Sequence, residues 1–317
     1  MTDLSAARFA YVFPGQGAQF VGMGADLIAA SAAARAVVAE ADDALGFPLG
    51  DLIAAGPDDA LEDTHNAQPA LLTISVAALR AVEEAGLTAP PAMVAGHSLG
   101  EFSALVAAGA IDFASALTLV RERGRLMREA GTTSPGGMAA ILGLDDAVLA
   151  DICREAARET GGIVVVANAN CPGQTVISGE VGPLERAMAL AKERRAKRIA
   201  RLNVSIASHS PLMREASDAF GLAVAAAPIV DPAVPVVANA SAQPLLTAGA
   251  VREELSIQME RPVRWTESVQ AMVAGGVTTF VELGPGNVLQ GLIRRIDREA
   301  TPLGIADLGL ELPSLAK

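Results

Sequence analysis

Gly96-His97-Ser98-Leu99-Gly100 has the form G-x-S-x-G, and a serine held in that pattern can attack an acyl group. A serine hydroxyl is barely ionised at neutral pH and needs a base beside it. The chain offers only three histidines. His97 adjoins Ser98, and neighbours on a tight turn point apart. His65 is read in a polar loop, His65-Asn66-Ala67-Gln68-Pro69, where it could lie at the surface. His209 sits in Ser208-His209-Ser210-Pro211, a loop just ahead of a helical segment and a good place for a site residue. His209 is therefore the expected base. The Leu99 N–H, where a helix begins, would point at the oxyanion formed on an acyl group attacked by Ser98.

Arg123 is the third residue of chemical interest. Asp112 is placed to cap a helix from Phe113 to about Ala130, whose apolar stripe contains Ala116, Leu119, Val120 and Met127. Arg123 falls on that stripe. An arginine facing a core must find an anion, because burying it unpaired is very costly. The residues alone leave an internal carboxylate and a bound ligand equally open.

The elements that must position these groups follow from the pattern around them. Met93 to Ala95 reads as a short buried strand and Phe102 to Ala108 as a helix. Gly96 and Gly100 remove the side chains that would clash as the helix packs back onto the strand. Phe9 to Phe13 is a first strand, closed by Pro14-Gly15-Gln16-Gly17-Ala18-Gln19. That loop lacks the third glycine of a dinucleotide fingerprint, and no Gly-Lys-Ser/Thr occurs. It is read as a loop whose backbone N–H groups approach a ligand closely. Helices are predicted from about Gly24, over Ser31–Leu45 and Asp51–Ala55, and strongly over Pro69–Ala85. Ser98 then lies at the C-terminal end of a strand, where α/β sheets place their ligands.

Composition shifts at Thr132-Thr133-Ser134-Pro135-Gly136-Gly137. Beyond it, strand Met138–Leu142, helix Asp145–Glu159, strands Ile163–Asn168 and Gln174–Ser178, helix Leu184–Lys197 and strand Arg198–Leu202 are predicted. Asp145 lies at the first helix's N-cap, and Asn170-Cys171-Pro172-Gly173 is the turn between the middle strands. The order βαββαβ is ferredoxin-like. The α/β pattern then resumes, with a helix from about Leu212 to Ala226 and a strand over Pro235–Asn239. Helices over Val251–Met259 and from Trp265 to Ala274 precede a strand over Thr278–Leu283. Gly284-Pro285-Gly286 closes that strand ahead of a helix over Val288–Ile296, and the tail from Leu303 is expected to be loosely held. The predicted fold is α/β, a parallel-sheet core of residues 1–132 and 204–317 interrupted by a ferredoxin-like unit at 133–203.

A chain of 317 residues suits one large domain or two smaller ones. Its residues are 51% hydrophobic but only 3% aromatic, so the core must be built from Ala, Val, Leu and Ile. A formal charge of −12 argues against nucleic acid as the main partner. Cys153 and Cys171 make no disulfide framework. The start Met-Thr-Asp-Leu-Ser lacks a basic segment followed by an apolar one, and the uncharged stretch 232–251 is broken by Pro232, Pro235 and Pro244. A cytoplasmic protein with no membrane span is expected.

Taken together, these residues resemble the bacterial malonyl-CoA:acyl carrier protein transacylases, the acyltransferases of type II fatty acid synthesis. The matching motifs are Pro14 to Gln19, Gly96 to Glu101, Arg123-Gly124, Ser208-His209, Gln258 to Trp265, and Gly284-Pro285-Gly286. They occur in the family's order over nearly the whole chain. The resemblance implies an α/β-hydrolase-like core with a ferredoxin-like insert. It implies that Ser98 becomes an acyl-serine, that His209 is its base and then the acid, and that the Gln16 and Leu99 N–H groups form the oxyanion hole. It assigns Arg123 to the malonyl carboxylate, and the Gln258 backbone carbonyl to orienting the histidine. Gln68 and Asn168 match further pocket positions. The implied substrates are malonyl-CoA and phosphopantetheinylated acyl carrier protein, with no cofactor or metal, and a monomer is expected. Because such carrier proteins are acidic, the basic cluster Lys192, Arg194, Arg195, Lys197 and Arg198 is a candidate docking surface.

The stretch Ile206-Ala207-Ser208-His209 matches neither modular synthase signature, His-Ala-Phe-His for malonyl or Tyr-Ala-Ser-His for methylmalonyl units. Ser208 leaves more room than Phe, so an alkylmalonyl group stays open beside malonyl. An esterase or thioesterase would also carry G-x-S-x-G, but expects its histidine near the last strand and a His-Gly-Gly loop, and neither occurs here. A non-enzymatic acyl-binding protein would need no Ser98–His209 pair.

Overall fold

β1 (Phe9–Phe13) is buried at every position, as its unbroken apolar run requires of a strand covered on both faces. The computed structural model describes residues 7–308. α1 (Ala25–Ala30), α2 (Ala32–Leu45), α3 (Leu49–Ala55), α4 (Asp58–Glu62) and α5 (Thr64–Glu84) follow. The Ser31 hydroxyl caps α2, accepting from the Ala34 N–H at 3.0 Å. α5 starts before the expected Pro69. Asp63 caps it, accepting from the His65 N–H at 2.8 Å, and Pro69 lies inside the helix. A proline in a helix strands the carbonyl four residues earlier. Here that carbonyl belongs to His65, and Arg121 Nη1 donates to it at 2.9 Å. His65 thus sits on the first turn of a helix rather than in a loop.

β2 (Met93–Gly96) passes through Ser98 into α6 (Gly100–Ala107), and α7 (Phe113–Thr133) carries Arg123. Asp112 caps α7 as expected, accepting from the Ser115 N–H at 2.8 Å. β3 (Gly136–Leu142), α8 (Asp146–Thr160), β4 (Val164–Cys171), β5 (Gln174–Glu180), α9 (Val181–Glu193) and β6 (Arg198–Arg201) then form an antiparallel unit with strand order β4-β5-β3-β6. Leu149, Ile152, Ile177 and Leu184 are among the core residues of this unit.

The element order of this unit is the predicted one, but some boundaries differ. α9 stops at Glu193 because Arg195 takes a left-handed φ of 62° and the Ala196 N–H closes onto the Ala191 carbonyl at 2.9 Å. Glycine usually fills that position, so the sequence carries no stop signal. β4 absorbs register shifts at Val166/Asn168 and Ala169/Cys171 and runs on through Cys171, leaving Pro172-Gly173 as the turn. Asp145 occupies the α8 N-cap position without a side-chain bond.

A 3-10 turn over Pro211–Met213 opens the return to the larger sheet. α10 (Arg214–Ala226), β7 (Val236–Val237), β8 (Pro244–Leu245), α11 (Ala248–Ile257), α12 (Trp265–Ala274), β9 (Thr279–Glu282), α13 (Val288–Ile296) and β10 (Thr301–Gly304) complete the chain in order. The larger sheet runs β10-β9-β1-β2-β7-β8, parallel except for β8. Leu303, expected in a loose tail, is instead paired in β10 against β9. Residues 309–317 of that tail lie outside the described residues.

Phe13 stands opposite Gly96, and Val12 opposite Glu282. The loops after β1, β2 and β9 therefore leave the same edge of the sheet, at the C-terminal ends of neighbouring parallel strands. The antiparallel unit is tied to this edge by backbone bonds from Ala169 N–H to Val263 O at 2.9 Å and Val263 N–H to Ala167 O at 2.8 Å. Among the described residues, no helix is long and apolar enough to cross a membrane. Cys153 and Cys171 are buried and unpaired.

Candidate active site

The turn between β2 and α6 brings backbone segments so close that glycine is required. A Cβ on Gly96 would lie 1.8 Å from the Gly100 carbonyl carbon, and one on Gly100 would lie 2.1 Å from Phe13 O. Between these glycines Ser98 holds a φ of 50°, which a side-chain-bearing residue adopts only under constraint. Asn239, just past β7, supplies the constraint. Its Oδ1 accepts from the Ser98 N–H at 2.7 Å and its Nδ2 donates to Gly96 O at 2.8 Å.

Ser98 Oγ lies 2.8 Å from His209 Nε2. His209 Nδ1 faces two backbone carbonyls, Gln258 O and Arg261 O, each at 3.0 Å. Carbonyls only accept, so Nδ1 carries the proton and Nε2 is left as an acceptor toward the serine. The family resemblance implied a carbonyl from Gln258 here, and the structure has that carbonyl and the Arg261 carbonyl both facing Nδ1. Burial, reinforced by the Arg123 cation, lowers the His209 pKa to about 3, which keeps the ring neutral. His97 turns away from the serine. Its Nε2 lies 2.8 Å from Asn170 Oδ1 and its ring packs on Trp265 at 5.7 Å.

Arg123 is 1% exposed and makes no ion pair among the described residues. Nη1 donates to Gln68 Oε1 at 2.8 Å, and Nη2 to Gln258 Oε1 at 2.9 Å and Ser98 Oγ at 3.2 Å. Its Nε has no hydrogen-bond partner among the described residues, and its guanidinium lies over the Phe102 ring at 5.8 Å. Burial lowers its pKa to about 10. An internal carboxylate, one of the two anions the sequence left open, is thus not paired with it among the described residues. From Gln68 a chain of bonds continues: Nε2 donates to Thr64 Oγ1 at 2.9 Å, and Thr64 Oγ1 donates to Gln16 Oε1 at 2.9 Å. The loop after β1 is thereby tied to Arg123 by side chains.

Gln16 and Leu99 each stand three residues beyond the end of a strand, β1 and β2 respectively. Neither backbone N–H donates to another group among the described residues. Asn168 is not drawn into this constellation. It is buried on β4 beside Val263, and it forms no side-chain bond with Ser98, His209 or Arg123. Its neighbour Asn170 is the residue that reaches inward, to His97.

The sequence reading gave no role to the groups beneath the turn. Glu101 is fully buried. Its Oε1 accepts from the Asn239 N–H at 3.0 Å and its Oε2 from Gln258 Nε2. Gln258 Nε2 also donates to Ser98 O at 3.0 Å. Burial and the nearby Glu254 push the Glu101 carboxyl well above the usual carboxylate range. A carboxylate in the apolar run of α6 was the available signal. Asn239, the last residue of a predicted strand, gave none.

A neutral histidine on a serine at a strand-to-helix turn, backed by carbonyls and flanked by a buried cation, is an arrangement able to carry out acyl transfer. The acyl transferase domain family matches residues 10–307, and the chain belongs to it. It is 45% identical over 301 residues to the malonyl CoA-acyl carrier protein transacylase of Bacillus subtilis, covering 95% of this chain and 94% of that one. The protein of the same name from Escherichia coli K12 is 48% identical over 289 residues, covering 91% and 93%. Among solved structures, the malonyl CoA-acyl carrier protein transacylase of Coxiella burnetii superposes with a TM-score of 0.93 at 42% identity, covering 96% of this chain and 95% of that one. A malonyl-transacylase solved in complex with a type II PKS acyl-carrier protein gives 0.92 at 44% identity, covering 95% and 96%.

Proposed function

We propose that the chain transfers a malonyl group from malonyl-CoA to the phosphopantetheine thiol of an acyl carrier protein, by way of an ester on Ser98. His209 Nε2 takes the Ser98 proton as Oγ attacks the thioester carbonyl carbon. The oxygen that becomes negative is received by the Gln16 and Leu99 N–H groups, each such donor being worth about a hundredfold in rate. The C–S bond breaks, and the departing sulfur takes the proton from His209. In the second half the carrier thiol gives its proton to His209 and attacks the ester. Ser98 leaves with that proton, and the enzyme is restored. Acyl group and proton balance without an electron carrier.

The observation that carries this reading is Arg123, a buried cation with no acidic partner in contact among the described residues and one bond to Ser98 Oγ. A neutral acyl group gives such a cation no role. A short dicarboxylic group, esterified through one end to Ser98, brings its free carboxylate to the guanidinium, which can grip it as a planar fork. Gln68 and Gln258 hold the guanidinium from the sides. The exposed residues Lys192, Arg194, Arg195, Lys197 and Arg198, at the end of α9 and the start of β6, offer an acidic carrier protein a basic surface.

The test is to incubate the chain with malonyl-CoA and phosphopantetheinylated carrier protein and to weigh the products. Malonylated carrier protein with free CoA is expected. Free malonate with an unmodified carrier protein would instead identify a thioesterase.

A further inference from the structure

Glu101 is a carboxylic acid placed where burial penalises it, and apart from Ser103 the rest of α6 is apolar, with no cation in contact with the carboxyl among the described residues. An acid in a helix's first turn ordinarily serves that helix's own N–H groups. Glu101 does not, because its oxygens accept from Asn239 N–H and Gln258 Nε2. These two partners hold the site from opposite sides. Asn239 clamps Ser98 N–H and Gly96 O. Gln258 bonds Ser98 O through its nitrogen and Arg123 Nη2 through its oxygen.

The Gln258 amide works in only one orientation. Turned over, it would present N–H groups to Arg123, which only donates, and an oxygen to Ser98 O, which only accepts. An acceptor beneath the amide nitrogen favours the working orientation, and Glu101 provides it. The link from carboxyl to amide to guanidinium is continuous.

We propose that Glu101 is a positioning residue for acyl-group selection: it orients the Gln258 amide, which in turn aims the Arg123 guanidinium at the substrate's free carboxylate. This rests on the reading of Arg123 given above.

Glu101→Gln keeps the shape but replaces one acceptor by a donor, so either Asn239 N–H or Gln258 Nε2 must face an N–H group. The experiment reads kcat/KM for malonyl-CoA and for acetyl-CoA in the wild type, Glu101→Gln, Arg123→Ala and the double variant, with thermal melts alongside. The malonyl-to-acetyl ratio is expected to fall about tenfold or more in Glu101→Gln, the loss of one hydrogen bond to a charged group. In the Arg123→Ala background the same substitution is expected to leave the ratio unchanged, since the group it acts through is gone. Should Glu101→Gln not fold, Gln258→Met breaks the link from the other side while keeping the carbonyl that holds His209, and is expected to lower the ratio equally. Equal loss toward both thioesters, or an unchanged ratio in whichever variant folds, overturns the proposal. If Arg123→Ala itself leaves the ratio unchanged, the carboxylate reading fails first, and the two failures are distinguishable.

Discussion

Ser98 and His209 meet at 2.8 Å with both backbones in the left-handed region, at φ 50° and 58°. Each such angle costs a residue with a Cβ about 1–2 kcal/mol, so both partners are held where they stand by their surroundings. For His209 the hold is its N–H on Met259 O at 2.8 Å together with the carbonyls on Nδ1. For Ser98 it is Asn239.

Replacing Asn239 by Ala therefore removes the clamp on the serine. A loss of about 2–4 kcal/mol in stability is expected, together with slower acyl-serine formation in single turnover. Denaturant melts and rapid-quench mass measurement check both. A variant that matched the wild type in both would show that Asn239 does not hold the turn.

The pH dependence follows from His209, whose pKa is lowered from 6.5 to about 3 by burial and by Arg123. The base works in its neutral form, so the acid limb of kcat/KM should lie well below 6.5. For stability, the unfolded chain binds a proton between these values that the folded chain does not. The stability contributed by this buried neutral ring is complete above the unfolded value and is lost as pH falls through the window toward 3. His209→Gln should lose less stability than the wild type over the same fall in pH. An acid limb at or above 6.5, or equal losses in the two proteins, would contradict the account.

Arg123→Ala is expected to lower malonyl transfer by about a hundredfold while sparing acetyl transfer. Lysine should rescue it only in part, because a point charge lacks the planar fork. Steady-state kinetics with malonyl-CoA and acetyl-CoA decide. A structural arginine would instead lower the melting temperature and both activities equally.

Why some of this was legible in the sequence and some was not is a matter of range. Ser98 and its glycines form a local pattern, and Arg123 betrayed itself by standing on an apolar stripe. Both signals lie within one or two turns of chain. The start of α5 was hidden because Pro69 reads as a beginning, and the carbonyl that it strands is satisfied by Arg121, from another helix. The end of α9 was hidden because Arg195 takes a glycine's conformation. Asn239 reaches Ser98 across 141 positions and Gln258 reaches Glu101 across 157, so no local spacing announces either pair.

The basic cluster gives a prediction about the second substrate alone. Reversing the charge of Lys192, Arg194, Arg195, Lys197 and Arg198 should raise KM for carrier protein severalfold, lessen with added salt, and leave acylation by malonyl-CoA unchanged. Initial rates at varied carrier protein and ionic strength measure this. An unaltered carrier-protein KM would place docking elsewhere.

The account stands on Ser98 as the residue that carries the acyl group, and intact mass spectrometry after incubation with malonyl-CoA alone tests it most directly. The wild type is predicted to gain a single malonyl adduct that disappears when carrier protein is added, and Ser98→Ala to gain none. An adduct that persisted in Ser98→Ala would assign the nucleophile to another residue and contradict the account.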